Sequence, residues 1–352
     1  MNTNLPSTEK RIINLIADIG GTNIRLAQAT AITDNSDITK NGGNSDTDGI
    51  NITDIETYQC KKFASLAEVV AHYIEIKSID NLVINACFAI ACPVDNDLIS
   101  MTNLPWQFSQ KELKQALKLN TLSFINDYTA IAMAIPLLSD NQKVKIGGGK
   151  SVAGKPISVC GPGTGLGVAN LVPITVAGNK QWHCISGEGG HIDFAPINET
   201  EQQVMNFIHG LRKRVSYEQL LSGYGLEQVY QALLFINEGK EITTVNDKLT
   251  AKDITTKALD GTCSICEQTL TLFCNVLGSF AGNLALIMNS QGGVYIAGGI
   301  VPRFIDYLKS SDFRARFETK GRLSSITEQA PTYVITEEQP GLLGAAAFVL
   351  QK

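Results

Sequence analysis

The sequence predicts an α/β protein with mixed sheets, divided into two domains. Three observations carry that reading. Short β-rich runs alternate with amphipathic helical stretches. The 352 residues amount to about two domains at ~150 residues each. Hydrophobic residues make up 44% and charged residues 18%, enough apolar material to bury cores of that size, which excludes global disorder.

The elements follow in chain order. Strands are predicted at Ile12–Ala17, Leu82–Ala91, Leu122–Ile125, Ile157–Gly161, Val294–Ala297 and Thr332–Ile335. Helix starts carry a Ser followed three residues later by Glu or Gln, as in Ser65/Glu68, Ser109/Glu112 and Ser216/Gln219. This spacing lets the two side chains satisfy free N–H groups reciprocally. Thr269–Met288 is almost continuously apolar, with Gly278 and Gly282 one turn apart, and reads as a buried helix closely packed on a neighbour. Residues 33–51, rich in Asn, Asp, Thr, Ser and Gly, read as a solvated insertion. Strand-then-glycine text recurs at Ile16–Thr22, Val159–Gly167 and Ile296–Ile300, as if backbone closes on one ligand from several sides.

Charge and hydropathy narrow the classes. Lys and Arg total 29 against 34 Asp and Glu, a net charge of −5, which speaks against sequence-independent nucleic-acid binding. A mean hydropathy of +0.04 is too low for a polytopic membrane protein. The apolar runs around Ala86–Val94 and Ile131–Leu138 are too short to span a bilayer, and Asp18 interrupts the N-terminal run before it could serve as a signal peptide. The eight cysteines are scattered, several in strand-like text, as buried thiols of a reducing, cytoplasmic compartment are. Cys263 and Cys266 form a C-x-x-C, but no second pair follows at zinc spacing, so these too read as structural thiols.

Two glycine-rich strings fail as nucleotide motifs. In Gly161–Gly167 every register of G-x-G-x-x-G breaks at its third glycine, where Leu166, Val168 or Asn170 stands. Gly149-Lys150-Ser151 lacks the P-loop's earlier glycine, the position being Val144. Asp18-Ile19-Gly20-Gly21-Thr22-Asn23-Ile24-Arg25 is different. It follows a strand, its glycines admit a phosphate to the backbone, Thr22 offers a hydroxyl, and Asp18 can orient hydrated Mg²⁺. An ordinary hairpin turn is the plainer alternative.

That string, with A-I-A-C-P-V (89–94), M-T-N-L-P-W (101–106), I-N-D-Y-T-A (125–130), G-P-G-T-G-L-G-V-A (161–169), G-E-G-G-H-I-D-F-A-P (187–196), L-S-G-Y-G-L (221–226), G-G-V-Y-I-A-G-G-I-V-P-R-F (292–304) and P-G-L-L-G-A-A-A (340–347), resembles the bacterial glucokinase family. The match is collinear over roughly residues 10–350. The resemblance implies a two-lobed hexokinase/actin-like (ribonuclease H-like) fold with mixed sheets and an inter-domain cleft. The small domain would be 1–137 plus 338–352 and the large one 138–337, the helix of Pro340–Lys352 returning to the small lobe. The activity it implies is transfer of the γ-phosphoryl of ATP, with Mg²⁺, to the 6-hydroxyl of D-glucose, in a homodimeric cytoplasmic enzyme with no membrane or nucleic-acid partner.

Residue roles follow from that resemblance. Asp127 would be the general base, ionised at neutral pH with a pKa near 4. Asn103, Asn126, Asp127, Glu188, His191 and Glu218 would hold glucose, with Asp193 either supporting His191 or serving a turn. ATP would meet Ala17, Asp18, Ile19, Gly20, Gly21 and Thr22 on one side and Gly163, Thr164 and Gly165 on the other. Gly298 and Gly299 would lie against the adenosine, and Asp18 would hold Mg²⁺ through water. The alternatives are an actin/heat-shock-type ATPase, which needs no Glu188/His191/Glu218 group, and a sugar kinase for another hexose. The repressor/open-reading-frame/kinase group would carry a cysteine-rich zinc motif after its G-E-x-G-H, and Phe194-Ala195-Pro196 has no cysteine beside it. An intact Asp127 argues against a non-catalytic sugar sensor.

Overall fold

The computed structural model describes residues 11–32, 49–101, 104–239 and 248–351. The chain divides into two compact units. One comprises the residues up to Ser139 together with those from Glu338 onward, and the other is Asp140–Glu337.

The first unit contains β1 (Ile12–Ile19), β2 (Asn23–Ala31), β3 (Ile50–Gln59), α1 (Leu66–Ile76), β4 (Val83–Ile90), β5 (Leu98–Ser100), β6 (Gln107–Ser109), α2 (Gln110–Ala116), β7 (Thr121–Asn126) and α3 (Asp127–Ala134). Its five-stranded sheet runs β3-β2-β1-β4-β7. β1 to β3 form an antiparallel meander, while β4 and β7 lie parallel to β1. Alternation along β1 sends Ile13, Leu15, Ala17 and Ile19 to one face, against α1 residues Leu66, Val69 and Tyr73. Ile16 goes to the other face. β4 is buried almost throughout, as a strand covered on both sides must be.

The second unit contains β8 (Lys143–Gly147), β9 (Ile157–Pro162), β10 (Leu166–Val176), β11 (Asn179–Gly187), α4 (Glu199–Arg212), α5 (Gly223–Glu238), α6 (Ala251–Leu259), α7 (Ser264–Met288), β12 (Gly293–Ile296), α8 (Ile305–Ser310), α9 (Phe313–Glu318), α10 (Ser324–Gln329) and β13 (Thr332–Ile335). Its six-stranded sheet runs β11-β10-β9-β12-β13-β8. β9 to β11 again form an antiparallel meander, and β12 and β13 continue from β9 in parallel. Each unit thus carries the same order, a meander whose first strand starts a parallel run. This repeated plan is the actin-like arrangement.

Helix α7 is the core of the second unit. A Cβ on Gly278 or Gly282 would overlap the carbonyl oxygens of Phe313 and Phe317, so both glycines let α9 lie directly on α7. α7 starts at Ser264, earlier than expected, and is long and apolar enough to cross a membrane, but 72% of its apolar window is buried within the fold. The last helix, α11 (Pro340–Gln351), belongs to the first unit. Leu342, Ala345 and Ala346 cover the face of Ile16, Cys87 and Ala89, and Gly344 lies against the carbonyl of Ala130 on α3.

Several expectations need correction. β2, β3, β8, β10 and β11 escape the sequence reading, because edge and half-exposed strands lack continuous apolar text. The insertion is shorter than 33–51, since Ile50 and Asn51 already belong to β3 and Ile50 is buried; residues 33–48 lie outside the described residues. Ser65 and Ser109 do cap their helices, but Glu68 reaches the N–H of Ala64 rather than that of Ser65. Ser216 and Gln219 form the reciprocal box, on a short 3-10 turn rather than an α-helix. Gly149, which opens the rejected P-loop string, lies against the Gln329 carbonyl, and Gly147 and Gly148 before it close on Arg314, whose guanidinium donates to the carbonyls of Thr327, Glu328 and Ala330. No disulfide joins the eight cysteines, and six of them are buried.

Candidate active site

In the first unit the chemistry collects at the carboxyl ends of its parallel strands, where open α/β sheets present ligand-binding groups. Asp18 stands at the end of β1, Cys92 just past β4, and Asn126 and Asp127 at the junction of β7 and α3. The β1–β2 connection is a tight hairpin closed by Gly20 N–H donating to the Asn23 carbonyl. Neither Gly20 nor Gly21 has a positive φ, so the turn itself does not require glycine there. The missing side chains leave backbone N–H groups approachable, which a phosphate needs and a plain turn does not. Thr22 is exposed at the tip. The side chains of Ala17 and Ile19 are in the core, 0% and 1% exposed, so these two positions can offer a ligand only their backbone, and Asp18 is the side chain of this strand end that faces outward.

Strand register sets the surroundings of Asp18. Arg25 is its cross-strand partner, and the guanidinium lies 3.5 Å from the carboxylate. Burial nevertheless raises the Asp18 pKa, against the pull of Arg25. A Cβ on Gly341 would come within 2.9 Å of the Asp18 carboxyl carbon, so the glycine lets the start of α11 approach that carboxylate.

Asn126 caps α3, its side-chain oxygen accepting from Tyr128 N–H at 2.9 Å, and Asp127 Oδ1 accepts from the same N–H at 2.9 Å. Asp127 is therefore fixed on a helix start. Its pKa is pushed up to about 6, first by burial and further by the Asp18 charge, with the Tyr128 N–H and the Asn126 side chain pulling the other way. This corrects the expected value near 4. Such a group is still mostly ionised at neutral pH and is a stronger proton acceptor than an ordinary aspartate. The same negative charge, after burial, helps hold the Cys92 thiol protonated.

In the second unit the loop between β9 and β10 is a hairpin, Gly163 N–H donating to the Gly165 carbonyl at 2.8 Å. The Gly163 carbonyl in turn accepts from Gly223 N–H, at the start of α5. Thr164 is exposed at the tip. A Cβ on Gly298 would overlap the Pro162 carbonyl, so the Gly298-Gly299 loop lies beside this hairpin, with open space above Gly299. Glu218 reaches the same place from its 3-10 turn. Its Oε2 accepts from Leu166 N–H at 2.9 Å, while Oε1 faces His191 Nε2 at 3.8 Å. That gap is too wide for a direct hydrogen bond and leaves both groups able to take a ligand hydroxyl.

Glu188 and His191 sit on the turn after β11, with His191 N–H donating to the Glu188 carbonyl, and both side chains are exposed. Gly190 must be glycine, because a Cβ would overlap the Leu166 carbonyl. Arg214 was not anticipated. It donates to Asp193 Oδ1 at 2.7 Å and to the His191 carbonyl at 2.6 Å, pinning the turn. Asp193 thus acts on His191 through Arg214 and the backbone. No local motif marks Arg214; a bridge between Asp193 and Ser216 brings it there. Asn103 lies outside the described residues.

Among the described residues no three His, Cys, Asp or Glu side chains gather as a metal cage. The donors at Asp18 are carboxylate oxygens, which suit Mg²⁺ held by one or two carboxylates together with substrate phosphates.

Comparison with known proteins identifies the family. The glucokinase family model matches residues 15–352. A glucokinase from Colwellia psychrerythraea is 61% identical over 345 residues, 98% of either chain. One from Photorhabdus laumondii is 44% identical, over 97% of this chain and 98% of its own. The crystal structure of a glucokinase from an Antarctic psychrotroph superposes with a TM-score of 0.84 at 36% identity, covering 97% of this chain and 99% of that one. The chain belongs to the glucokinase family and is an ATP-dependent hexose kinase.

Proposed function

We propose that this enzyme transfers the γ-phosphoryl of ATP to the 6-hydroxyl of D-glucose, with Asp127 as general base. The observation that carries the assignment is Asp127 itself: a helix-start carboxylate with a pKa of about 6, poised to accept a proton near neutral pH. Asn126, Glu188, His191 and Glu218 supply the donors and acceptors that hydroxyl recognition requires, and Asn103 completes this set. Glu218 suits the role because one oxygen is anchored on Leu166 N–H and the other is left for the sugar.

The phosphates are received by backbone N–H groups of Gly21 and Thr22 and of Thr164 and Gly165, with Thr22 and Thr164 donating hydroxyls, while the Gly20 and Gly163 N–H groups close the two hairpins. Gly298 and Gly299 accommodate the adenosine. Asp18 would hold Mg²⁺ through water, and the bound ion would neutralise charge developing on the transferred group. Asp127 takes the hydroxyl proton as the oxygen attacks. A cytoplasmic homodimer serving the entry of glucose into glycolysis belongs to the same reading, and sizing chromatography tests its oligomeric part. The deciding assay measures ADP release from Mg·ATP across a panel of hexoses. Release dependent on glucose supports the assignment; release independent of any sugar overturns it in favour of a plain ATPase.

A further inference from the structure

The C-x-x-C of Cys263 and Cys266 is used by none of the chemistry above, and its place in the fold is specific. Cys263 is the N-cap residue of α7 and Cys266 is the third residue of that helix. In a capping box these are the two positions whose side chains reach each other's backbone N–H groups, which holds them side by side. The neighbouring helix α6 shows the geometry with oxygen: Thr250 Oγ1 donates to Asp253 Oδ2 at 2.6 Å across the same spacing. At the start of α7 both positions carry sulfur, and Cys263 lies near enough to Cys266 to help raise its pKa.

The two thiols differ in access. Cys263 is partly exposed, whereas Cys266 is fully buried in the core of the second unit. Cys263 makes no side-chain capping bond to the helix, so its sulfur is not committed to the first turn. The attacking group of disulfide exchange must be reached by the small disulfide, and of this pair only Cys263 is open to solvent. Burial, with the Cys263 thiol adding to it, pushes Cys266 up to about 12 and keeps its proton until a partner sulfur draws it in. No third His, Cys, Asp or Glu gathers there among the described residues, so the pair lacks the ligands of a structural zinc site.

We propose that Cys263 and Cys266 are an exchangeable dithiol that small-molecule disulfides of the glutathione type oxidise, Cys263 attacking and Cys266 resolving. The Cys263 thiolate attacks one sulfur of the small disulfide, whose S–S bond breaks. One small thiolate leaves and takes up, through solvent, the proton that Cys263 gave up, and a mixed disulfide forms on Cys263. Cys266 then gives up its proton to the departing small thiolate and attacks the Cys263 sulfur, expelling it as the second small thiol. Two protein thiols are oxidised and one small disulfide is reduced to two thiols.

The test uses the folded full-length protein with oxidised glutathione, read by intact mass and peptide mapping. The wild type is expected to lose two hydrogens, mapped to a Cys263–Cys266 bridge that dithiothreitol reverses. Cys266→Ser is expected to retain a glutathione adduct on Cys263. Cys263→Ser is expected to form neither product; it keeps the fold because Ser is a preferred N-cap. Where Cys266→Ser does not fold, the wild type alkylated at Cys263 with iodoacetamide serves instead and must form no bridge. A wild type that stays fully reduced, one that keeps a stable adduct on Cys263, or a bridge mapped to other cysteines overturns the proposal.

Discussion

Replacing Asp127 with Asn should abolish turnover and stabilise the fold, and the second effect has a pH signature. In the folded chain burial and the Asp18 charge push the Asp127 pKa up to about 6, from 3.8 for an ordinary aspartate. Between those values the native state binds the proton and the unfolded chain does not. Stability therefore falls as pH rises through that window. Above it the folded protein carries the full cost of an ionised, buried carboxylate beside Asp18. A shift of about two units corresponds to about 3 kcal/mol at ~1.4 kcal/mol per unit, an upper bound for the gain on removing the charge. Asn keeps an acceptor for the Tyr128 N–H, so the start of α3 remains capped.

The assay is thermal unfolding of both forms without ligand from pH 4 to pH 8. The two melting temperatures should be close near pH 4. They should diverge as pH rises and level off above about pH 7, with the variant higher by several degrees, since 1 kcal/mol is worth ~2–4 °C in a unit of this size. Glucose binding should persist while turnover falls by ~10²–10⁴, the usual contribution of a general base. A variant no more stable than wild type at pH 7.5, or a difference that does not change with pH, would refute the reading of Asp127 as a desolvated, destabilising base.

Three further perturbations probe the same assembly. Asp18→Asn removes a charge that raises the Asp127 pKa, so carboxyl NMR should find Asp127 titrating at lower pH than in wild type. Gly165→Ala places a Cβ at 2.6 Å from Glu218 Oε2 and should displace that carboxylate from Leu166 N–H, raising KM for glucose several-fold with the melting temperature little changed. Arg214→Ala releases both Asp193 and the His191 carbonyl, and should raise KM for glucose more than it lowers kcat; equal effects on the glucose and ATP constants would count against the positioning role.

The legible part of this protein was where one physical cause dominates. Buried strands such as β4 and β9, and the closely packed helix around Gly278 and Gly282, declare themselves because burial on every side leaves only apolar or small residues. The family is legible through several short strings in fixed order, since no single one is specific. What stayed hidden depends on distance in sequence. Register brings Arg25 opposite Asp18, α11 brings Gly341 back to that carboxylate, and a bridge between Asp193 and Ser216 carries Arg214 to His191. The Asp127 pKa was misjudged for the same reason. Sequence shows a carboxylate, but burial and a second charge, both products of the fold, decide its proton affinity.

The repeated sheet plan explains why chemistry gathers where it does. In each unit the first strand of the meander turns back through a glycine hairpin, Gly20–Asn23 in one and Gly163–Gly165 in the other. The parallel strands beside it end at the same edge, so their following loops and helix starts meet the hairpin: Asp127 in the first unit, Gly298-Gly299 in the second. Helix starts and tight turns expose unpaired N–H groups, and both units thereby offer an electropositive backbone edge without a lysine. On that shared frame the side chains have diverged. The first unit carries two carboxylates, both with proton affinity raised by burial and that of Asp127 raised further by the Asp18 charge. The second carries Glu218 and His191 held apart at 3.8 Å, which suits neutral hydroxyls. One architecture, used twice, thus places the Asp18/Asp127 carboxylates on one unit and the Glu218/His191 pair on the other.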